Sequence, residues 1–220
     1  RMGSRAQMLI AELTCPRCGG LGYLDNGIRD PLERGFGQSV QCPCVHEEHP
    51  ELRYTFAKYN PRTPSQKKAR VKAQAWAKGE LTFLTLSGLP GIGKSHLARA
   101  AAFERRARYF TMAEMLNWLR QGYEETAQTS FFALKTSLCS DIPLVIDDLG
   151  AEAVKEWGIE QIQTILEDRI VLLHATLLTT NYGMEDLAGR LSRRVASRVF
   201  DVTTAGHEVC IMLGEDYRTK

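Results

Sequence analysis

Long apolar runs and a secretory leader are both absent from the 220-residue sequence. No stretch approaches the roughly 18 uncharged apolar residues of a membrane-spanning helix, and no basic segment precedes an apolar core at the amino terminus. These absences predict a cytoplasmic protein. The net charge is only +2, so any nucleic-acid surface has to come from local clustering of basic residues. Apolar residues at 44% and charged residues at 25% exclude a largely disordered chain.

Cysteine is scarce outside one segment, since four of the six cysteines fall within the first 44 residues. In a cytoplasmic protein such a group indicates a metal site or plain burial before disulfides. Cys15-Pro-Arg-Cys18-Gly-Gly begins like a zinc knuckle, whereas the second pair, Cys42-Pro-Cys44, is C-x-C in place of C-x-x-C. Residues 15–44 hold too few large apolar side chains to fold unaided, so we expect a closed structural Zn²⁺ site rather than four reduced, unliganded cysteines. The candidate ligands are four thiolates and two histidines that compete for the fourth position: Cys15, Cys18, Cys42, Cys44, His46 and His49.

The composition divides the chain into three segments. Residues 5–50 are the cysteine-rich zinc-binding module, residues 51–79 a basic linker and helix, and residues 80–220 an α/β domain. Between Glu51 and Glu80, eight basic residues accompany only those two acids. Ser65 is the expected N-cap of the helix in this segment, and Gly79 lies past its end.

Strands and helices alternate through the α/β domain. The apolar pattern predicts strands at 81–87, 108–111, 143–148, 175–180 and 208–213, with helices at 94–105, 112–124, 129–139, 155–173 and 184–198. Continuous apolar strands separated by helices indicate a parallel five-stranded sheet with helices on both faces. The predicted helix ending at 105 leaves almost no loop before the next strand. Either that helix ends early or residues are missing between Arg106 and Ala107.

A phosphate-binding loop follows the first of these strands. Residues 88–95, GLPGIGKS, fit G-x-x-x-x-G-K-[ST] between a strand and a helix, which argues against a glycine-rich turn without ligand. Glycines let backbone N–H groups converge on phosphates at a helix N-terminus. Lys94 would bridge the outer phosphates and Ser95 would hold Mg²⁺. The predicted nucleotide-contacting residues are Gly88, Pro90, Gly91, Ile92, Gly93, Lys94, Ser95, His96 and Asp147.

Acidic and polar side chains end two later strands. Asp147, at the end of PLVIDD, would orient Mg²⁺, and Asp148 would polarise the attacking water. Asn181 ends LLTTN, where it can contact that water or the γ-phosphate. The string DDLG also fits the D-x-x-G of GTPases, but the guanine-reading N-K-x-D is absent from this sequence. The sequence therefore favours an ATPase over a GTPase.

Arginines accumulate near the carboxyl end of the domain. AGRLSRRVASRVF contains Arg190, Arg193, Arg194 and Arg198 without an acid. Arg194 and Arg198 are four residues apart and so share one helical face. An uncompensated pair there favours an anionic neighbour, although a solvated basic face or surface ion pairs would also account for it.

The strings GIGKSHLA, VIDDLG, TTNY, RRVASR and GEDYR, in this order, resemble the DnaC/IstB-like branch of the AAA+ ATPases. The resemblance makes residues 80–220 an AAA+ ATPase domain, and it implies ATP and Mg²⁺ as cofactors. It implies that Asn181 is sensor 1 and Arg218 sensor 2. It also implies that Arg198 is an arginine finger for the neighbouring subunit, with Arg194 on the same signature helix. A lid that is absent or minimal is expected after GEDYR, and Asp148 in place of the more common Glu suggests slow hydrolysis.

This branch includes replicative helicase loaders and transposition helpers. The resemblance therefore implies self-association and a DNA-replication role, with a helicase and single-stranded DNA as partners. The alternatives are a helper acting on duplex DNA and a transposase, and a monomeric P-loop kinase. By resemblance the segment 112–138 would grip DNA, through the exposed candidates Arg120, Tyr123 and Lys135. The cysteine module would bind a protein partner, and no membrane is involved.

Overall fold

A computed structural model describes residues 23–25, 39–41, 54–123 and 130–219. The chain divides into two compact units, Arg1–Arg53 and Tyr54–Lys220. In the first unit, β1 (Tyr23–Asp25) pairs antiparallel with β2 (Ser39–Gln41), and Tyr23 stands opposite Gln41. The cysteines and histidines of the predicted zinc site lie outside the described residues.

A parallel five-stranded sheet forms the second unit, as predicted. Its strand order is β4-β5-β6-β3-β7, and each neighbouring pair is parallel. The three central strands are buried at almost every position. Because alternate side chains point to opposite faces, this burial means that both faces are covered. The strands are β3 (Phe83–Gly88), β4 (Arg108–Thr111), β5 (Leu144–Leu149), β6 (Thr176–Thr180) and β7 (His207–Met212).

The helices follow the predicted order with one exception. The helix expected at 184–198 is divided in two, because Ser192 leaves the helical conformation and caps a new helix by accepting a hydrogen bond from the Val195 N–H. Within the described ranges, no helix is both long and apolar enough to cross a bilayer. The helices are α1 (Pro64–Ala77), α2 (Lys94–Arg105), α3 (Met112–Gln121), α4 (Phe131–Leu138), α5 (Glu156–Val171), α6 (Met184–Arg190) and α7 (Arg193–Val199), followed by a 3₁₀ helix at Tyr217–Thr219.

Helix α1 packs against α2, β3 and β7, so the helix of the basic segment is part of the same unit as the sheet. The predicted N-cap was wrong: Thr63, not Ser65, caps α1, because its side chain and that of Gln66 form a reciprocal capping box around Pro64. The Arg105 guanidinium lies 4.6 Å from the Trp76 ring centroid and ties α2 to the end of α1.

The short join between α2 and β4 is a tight helix cap. Arg106 adopts a left-handed conformation with φ 56°, and the Ala107 N–H donates to the Ala102 carbonyl over 2.8 Å. This is the hydrogen-bond pattern of a Schellman cap. Two residues therefore lead from the helix to the strand without a longer loop, and α2 keeps its predicted extent.

Arg169 on α5 is fully buried where β5 and β6 begin. Its guanidinium donates to the Thr176 hydroxyl over 2.8 Å and to four backbone carbonyls. Burial lowers its pKa to about 10, so the group stays charged at neutral pH. One side chain thus fixes the segments that precede two central strands. The carbonyls belong to Leu138, Ser140, Ile142 and Ala175.

Candidate functional site

The carboxyl ends of the parallel strands bring the separate motifs to one edge of the sheet. The loop after β3, the acids at the end of β5 and Asn181 after β6 surround a cavity of about 640 Å³. Cavities at this edge of an α/β sheet are the usual ligand sites of such folds. Of the predicted site residues, the cavity wall contains Pro90, Gly91, Gly93, Lys94, Ser95, His96, Asp148, Asn181 and Arg218.

The phosphate loop has the backbone shape that its glycines allow. Gly91 has φ 74°, a left-handed conformation that strains any residue with a side chain, and a Cβ there would displace the Asp216 carboxylate, whose carbon would lie 2.0 Å away. Lys94 is 4% exposed, and its ammonium donates to the carbonyls of Gly88 at 2.7 Å and Leu89 at 2.8 Å. Burial lowers the pKa of Lys94 to about 8. A buried ammonium held by neutral carbonyls at a helix N-terminus fits the phosphates of a nucleotide.

Asp148 stands in a β-bulge. β5 has two residues between Ile146 and Leu149 where β6 has one, and Asp148 has a left-handed φ of 58°. Its N–H donates to the Thr179 hydroxyl over 3.0 Å, and its carboxyl faces the cavity. Burial and the neighbouring Asp147 raise the pKa of Asp148, against the effects of Lys94 and a hydrogen bond with Asn181. A raised pKa makes this carboxylate a better proton acceptor.

Asp147 is 2% exposed and is surrounded by hydroxyl donors. Ser95 donates to its Oδ1 over 3.1 Å, Thr179 donates to the same oxygen, and Tyr109 donates to Oδ2. Because the Ser95 hydroxyl donates its hydrogen bond to Asp147, the lone pairs of the Ser95 oxygen are available to a cation. Oxygen ligands of this kind are the ones Mg²⁺ accepts, so the predicted pair fits the ion. Tyr109 and Thr179 had not been expected at the site.

The carboxyl-terminal 3₁₀ helix explains how Arg218 reaches the cavity. The Tyr217 N–H donates to the Gly91 carbonyl over 3.0 Å, and its hydroxyl donates to the Asn60 carbonyl over 2.7 Å. The first bond holds the segment on the phosphate loop, and the second ties it to the segment before α1. Arg218 lies on the cavity wall and forms an ion pair with Asp216 at 2.9 Å.

Aromatic residues from the segment 54–62 complete the cavity wall. The ring of Tyr59 lies against Gly93 and meets the His96 ring edge-on, with centroids 5.3 Å apart. The Arg62 guanidinium lies 4.2 Å from the Tyr217 ring centroid. Flat aromatic and guanidinium groups suit the planar base of a nucleotide. The composition predicts a linker here, and the run YTFAKYN is the sequence signal for these aromatic contacts.

Helix α7, which carries Arg194 and Arg198, lies apart from the cavity. Arg194 forms an ion pair with Glu167 on α5, and Arg198 is exposed on the same face. Neither belongs to the cavity wall of its own chain. Arg190 donates to the Gly150 carbonyl over 3.3 Å, and its guanidinium lies 4.1 Å from the Tyr182 ring centroid.

A surface cluster, here called the aromatic face, joins α3, α4 and α5. The Tyr123 and Phe131 rings stack with centroids 4.4 Å apart, and the Arg120 guanidinium lies 5.1 Å from the Trp157 ring centroid. Trp157 meets Tyr123 edge-on at 6.1 Å. Tyr123 is 59% exposed. The predicted candidates Arg120 and Tyr123 thus lie together, with the unexpected Phe131 and Trp157, whereas Lys135 is half-buried on α4.

The fold and the cavity define a P-loop ATPase of the AAA+ type. A phosphate loop, an acidic pair, a polar strand-end residue and a terminal arginine meet at one edge of a five-stranded parallel sheet. The family model of the IstB-like ATP binding protein matches residues 45–220. The chain belongs to this family.

Individual relatives agree with this assignment. The replicative helicase loader DnaC of Escherichia coli K12 is 28% identical over 176 residues, covering 76% of this chain and 69% of that protein. The crystal structure of the DnaC helicase loader superposes with a TM-score of 0.62 at 29% identity, covering 76% of this chain and all of that one. The Aquifex aeolicus DnaA structure bound to AMPPCP shares the fold with a TM-score of 0.62 at 19% identity, covering 76% of this chain and 52% of that one.

Proposed function

We propose that this protein is a helicase-loader-like replication factor. It binds ATP·Mg²⁺ between subunits, hydrolyses it slowly, and uses the nucleotide state to control binding of a replicative helicase and single-stranded DNA. The observation that carries the proposal is the similarity to the helicase loader DnaC across the unit that contains the complete cavity.

The cavity supports the nucleotide chemistry step by step. Lys94 would contact the β- and γ-phosphates, and Ser95 with Asp147 would hold Mg²⁺, which would neutralise phosphate charge. Asp148 accepts a hydrogen bond from the attacking water, and Asn181, which is hydrogen-bonded to Asp148, fixes that water's direction. Arg218 contacts the phosphates from the carboxyl-terminal side.

A neighbouring subunit completes the site in this proposal. Arg198 is exposed and lies outside its own cavity, as a residue that acts on the next subunit's nucleotide must be. The arginine finger supplies positive charge to the transition state of phosphoryl transfer. The ion pair of Arg194 with Glu167 positions α7, the helix that carries Arg198.

The aromatic face is the proposed single-stranded DNA contact. The exposed Tyr123 ring would provide a stacking surface for a base, and Arg120 and Lys135 would provide charge for the phosphate backbone. Phe132 on α4 is 77% exposed and extends the apolar surface of this region.

The segment 5–50 is the proposed zinc-bearing partner module. Cys18 comes five residues before β1 and Cys42 directly follows β2. Because β1 and β2 are antiparallel with Tyr23 opposite Gln41, the start of β1 and the end of β2 share one end of the ribbon. In the sequence, the two cysteine pairs flank this end of the ribbon. Four thiolates form the donor set that a structural Zn²⁺ takes.

A transposition helper is the second candidate, since the matching family model is that of the IstB-like ATP binding protein. Capture of purified partners by the immobilised protein separates the two functions. With ATP present, we expect retention of the replicative helicase of the same organism and no retention of its transposases. Retention of a transposase alone would replace the loader proposal with the helper function. Lys94→Ala protein is the control, because its nucleotide-dependent binding should be lost.

A further inference from the structure

Tyr109 on β4 is a buried tyrosine whose hydroxyl reaches the acid of the proposed magnesium site. The side chain is 8% exposed, and its hydroxyl donates to Oδ2 of Asp147. Thr179 and Ser95 donate to the other carboxylate oxygen, Oδ1. Both oxygens of Asp147 are therefore held by hydroxyl groups.

We infer that Tyr109 is a positioning residue that sets the orientation of the Asp147 carboxylate toward Ser95 and the magnesium ion. The inference rests on the proposed ATP·Mg²⁺ site. A carboxylate can rotate about its Cβ–Cγ bond when only one oxygen is bound. The Tyr109 hydroxyl fixes the second oxygen, so Oδ1 stays directed at Ser95.

The protonation state of Tyr109 agrees with this role. A tyrosine hydroxyl keeps its proton at neutral pH, so Tyr109 is the donor and Oδ2 of Asp147 the acceptor in this bond. Hydrogen bonds from a neutral donor to a charged acceptor are among the stronger ones in proteins.

Arg99 holds the Tyr109 ring in place. Its guanidinium lies 4.4 Å from the Tyr109 ring centroid and 5.2 Å from that of Tyr54, which lines the cavity. Arg99 is on α2, about one turn after Ser95. Helix α2 therefore acts on Asp147 in two ways. Ser95 donates a hydrogen bond to the carboxylate directly, and Arg99 packs on the ring of Tyr109, whose hydroxyl donates the other.

The test compares Tyr109→Phe with the wild-type protein by titrating Mg²⁺ at fixed fluorescent ATP analogue. We expect half-maximal Mg²⁺-dependent binding at about tenfold higher Mg²⁺, the usual size of an outer-shell effect, with unchanged nucleotide affinity in EDTA. The Tyr182→Phe variant is the matched control, since its hydroxyl has no hydrogen-bond partner among the described residues and lies outside the cavity wall. An unaltered Mg²⁺ requirement in Tyr109→Phe would overturn the inference.

A second variant covers the case in which Tyr109→Phe does not fold. Arg99→Gln changes a half-buried helix position and should raise the Mg²⁺ requirement about threefold, because the ring loses its cation contact. Wild-type Mg²⁺ dependence in Arg99→Gln would then refute the positioning role. Absence of Mg²⁺-dependent binding in the wild-type protein would instead overturn the nucleotide site itself.

Discussion

Arg194 and Glu167 form a two-point ion pair, with Nε 2.6 Å from Oε1 and Nη2 3.2 Å from Oε2. Arg198, one helical turn further along α7, has no such acidic partner among the described residues. The two arginines that looked equivalent in the sequence are therefore different. Glu167 on α5 neutralises Arg194, which is the surface ion pair given above as the alternative to an anionic ligand. For Arg198 the anionic neighbour stays a prediction.

This difference predicts complementation between inactive variants. Arg198→Ala should lower ATP hydrolysis by about 10³–10⁵-fold, the usual contribution of an arginine finger, and Lys94→Ala should not bind ATP. Mixing the two proteins should restore part of the activity, because some interfaces then combine an intact phosphate loop with an intact Arg198. Arg194→Ala is the control and should retain more activity than Arg198→Ala. No rescue at any mixing ratio would indicate a monomeric enzyme.

Replacing Asp148 by asparagine should separate binding from hydrolysis. Asparagine tolerates the left-handed backbone at this bulge, so the variant should fold and bind ATP normally. The amide cannot accept the proton of the attacking water, and hydrolysis should fall by about 10²–10⁴-fold. Steady-state phosphate release measures the rate and equilibrium binding the affinity. A wild-type rate would remove Asp148 from the role of water-orienting acid.

The lowered pKa of Lys94 predicts a proton uptake on ATP binding. Above pH 8 the free protein loses the Lys94 proton, whereas bound phosphates keep the ammonium charged. Binding then takes up a proton, so affinity should fall as pH rises from 8 to 9, by up to about tenfold. Below pH 8 this dependence should disappear. Calorimetry in buffers with different ionisation enthalpies measures the proton count, and a pH-independent affinity between 8 and 9 would contradict the prediction.

The aromatic face predicts a measurable loss of DNA affinity. The double variant Arg120→Ala/Lys135→Ala should weaken single-stranded DNA binding at low salt with ATP present, because two contacts with the DNA phosphate backbone are lost. Tyr123→Ala should cost about 1–3 kcal/mol as a stacking contact. Lys67→Ala/Lys68→Ala removes the same charge from α1 and should bind normally. Equal affinities of the wild type and both aromatic-face variants would exclude this surface.

Elemental analysis should find about one zinc ion per chain in protein purified without chelator. Cys15→Ser should lose the metal and partner binding but retain ATP binding, since the sheet has its own apolar core. Cys139→Ser is the matched control. Burial and a hydrogen bond with Asp168 raise the pKa of Cys139 to about 12, so it makes a poor thiolate ligand. His46→Ala and His49→Ala would show whether a histidine replaces Cys44, and less than about half a zinc per chain would argue against the site.

The strands and the phosphate loop could be predicted because their signals are local. The strand at 108–111 and the helix at 94–105 have the predicted bounds, since apolar continuity and the glycine motif define them without tertiary contacts. The break at Ser192 was not predicted, since the sequence indicated one helix over 184–198. The apolar period continues through it, and the capping hydrogen bond decides the outcome.

The missed site residues depend on tertiary packing. Tyr109 and Thr179 fit β-strand preferences and carry no motif, so their contact with Asp147 follows only from the strand order β4-β5-β6. Tyr59 reaches the phosphate loop because α1 packs on α2 and β7, which places the preceding segment beside Gly93.

Arg169 has a consequence for the rate at which the sheet opens. Its five donors connect the start of β5 with the start of β6, away from the cavity at the other end of these strands. Its release would leave a buried cation and several carbonyls unpaired at once, so local opening there is costly. Amide protons of Leu144 and Thr176 should therefore exchange with deuterium only through global unfolding, while the nucleotide edge exchanges faster. The sheet then has one rigid end and one end free to respond to nucleotide.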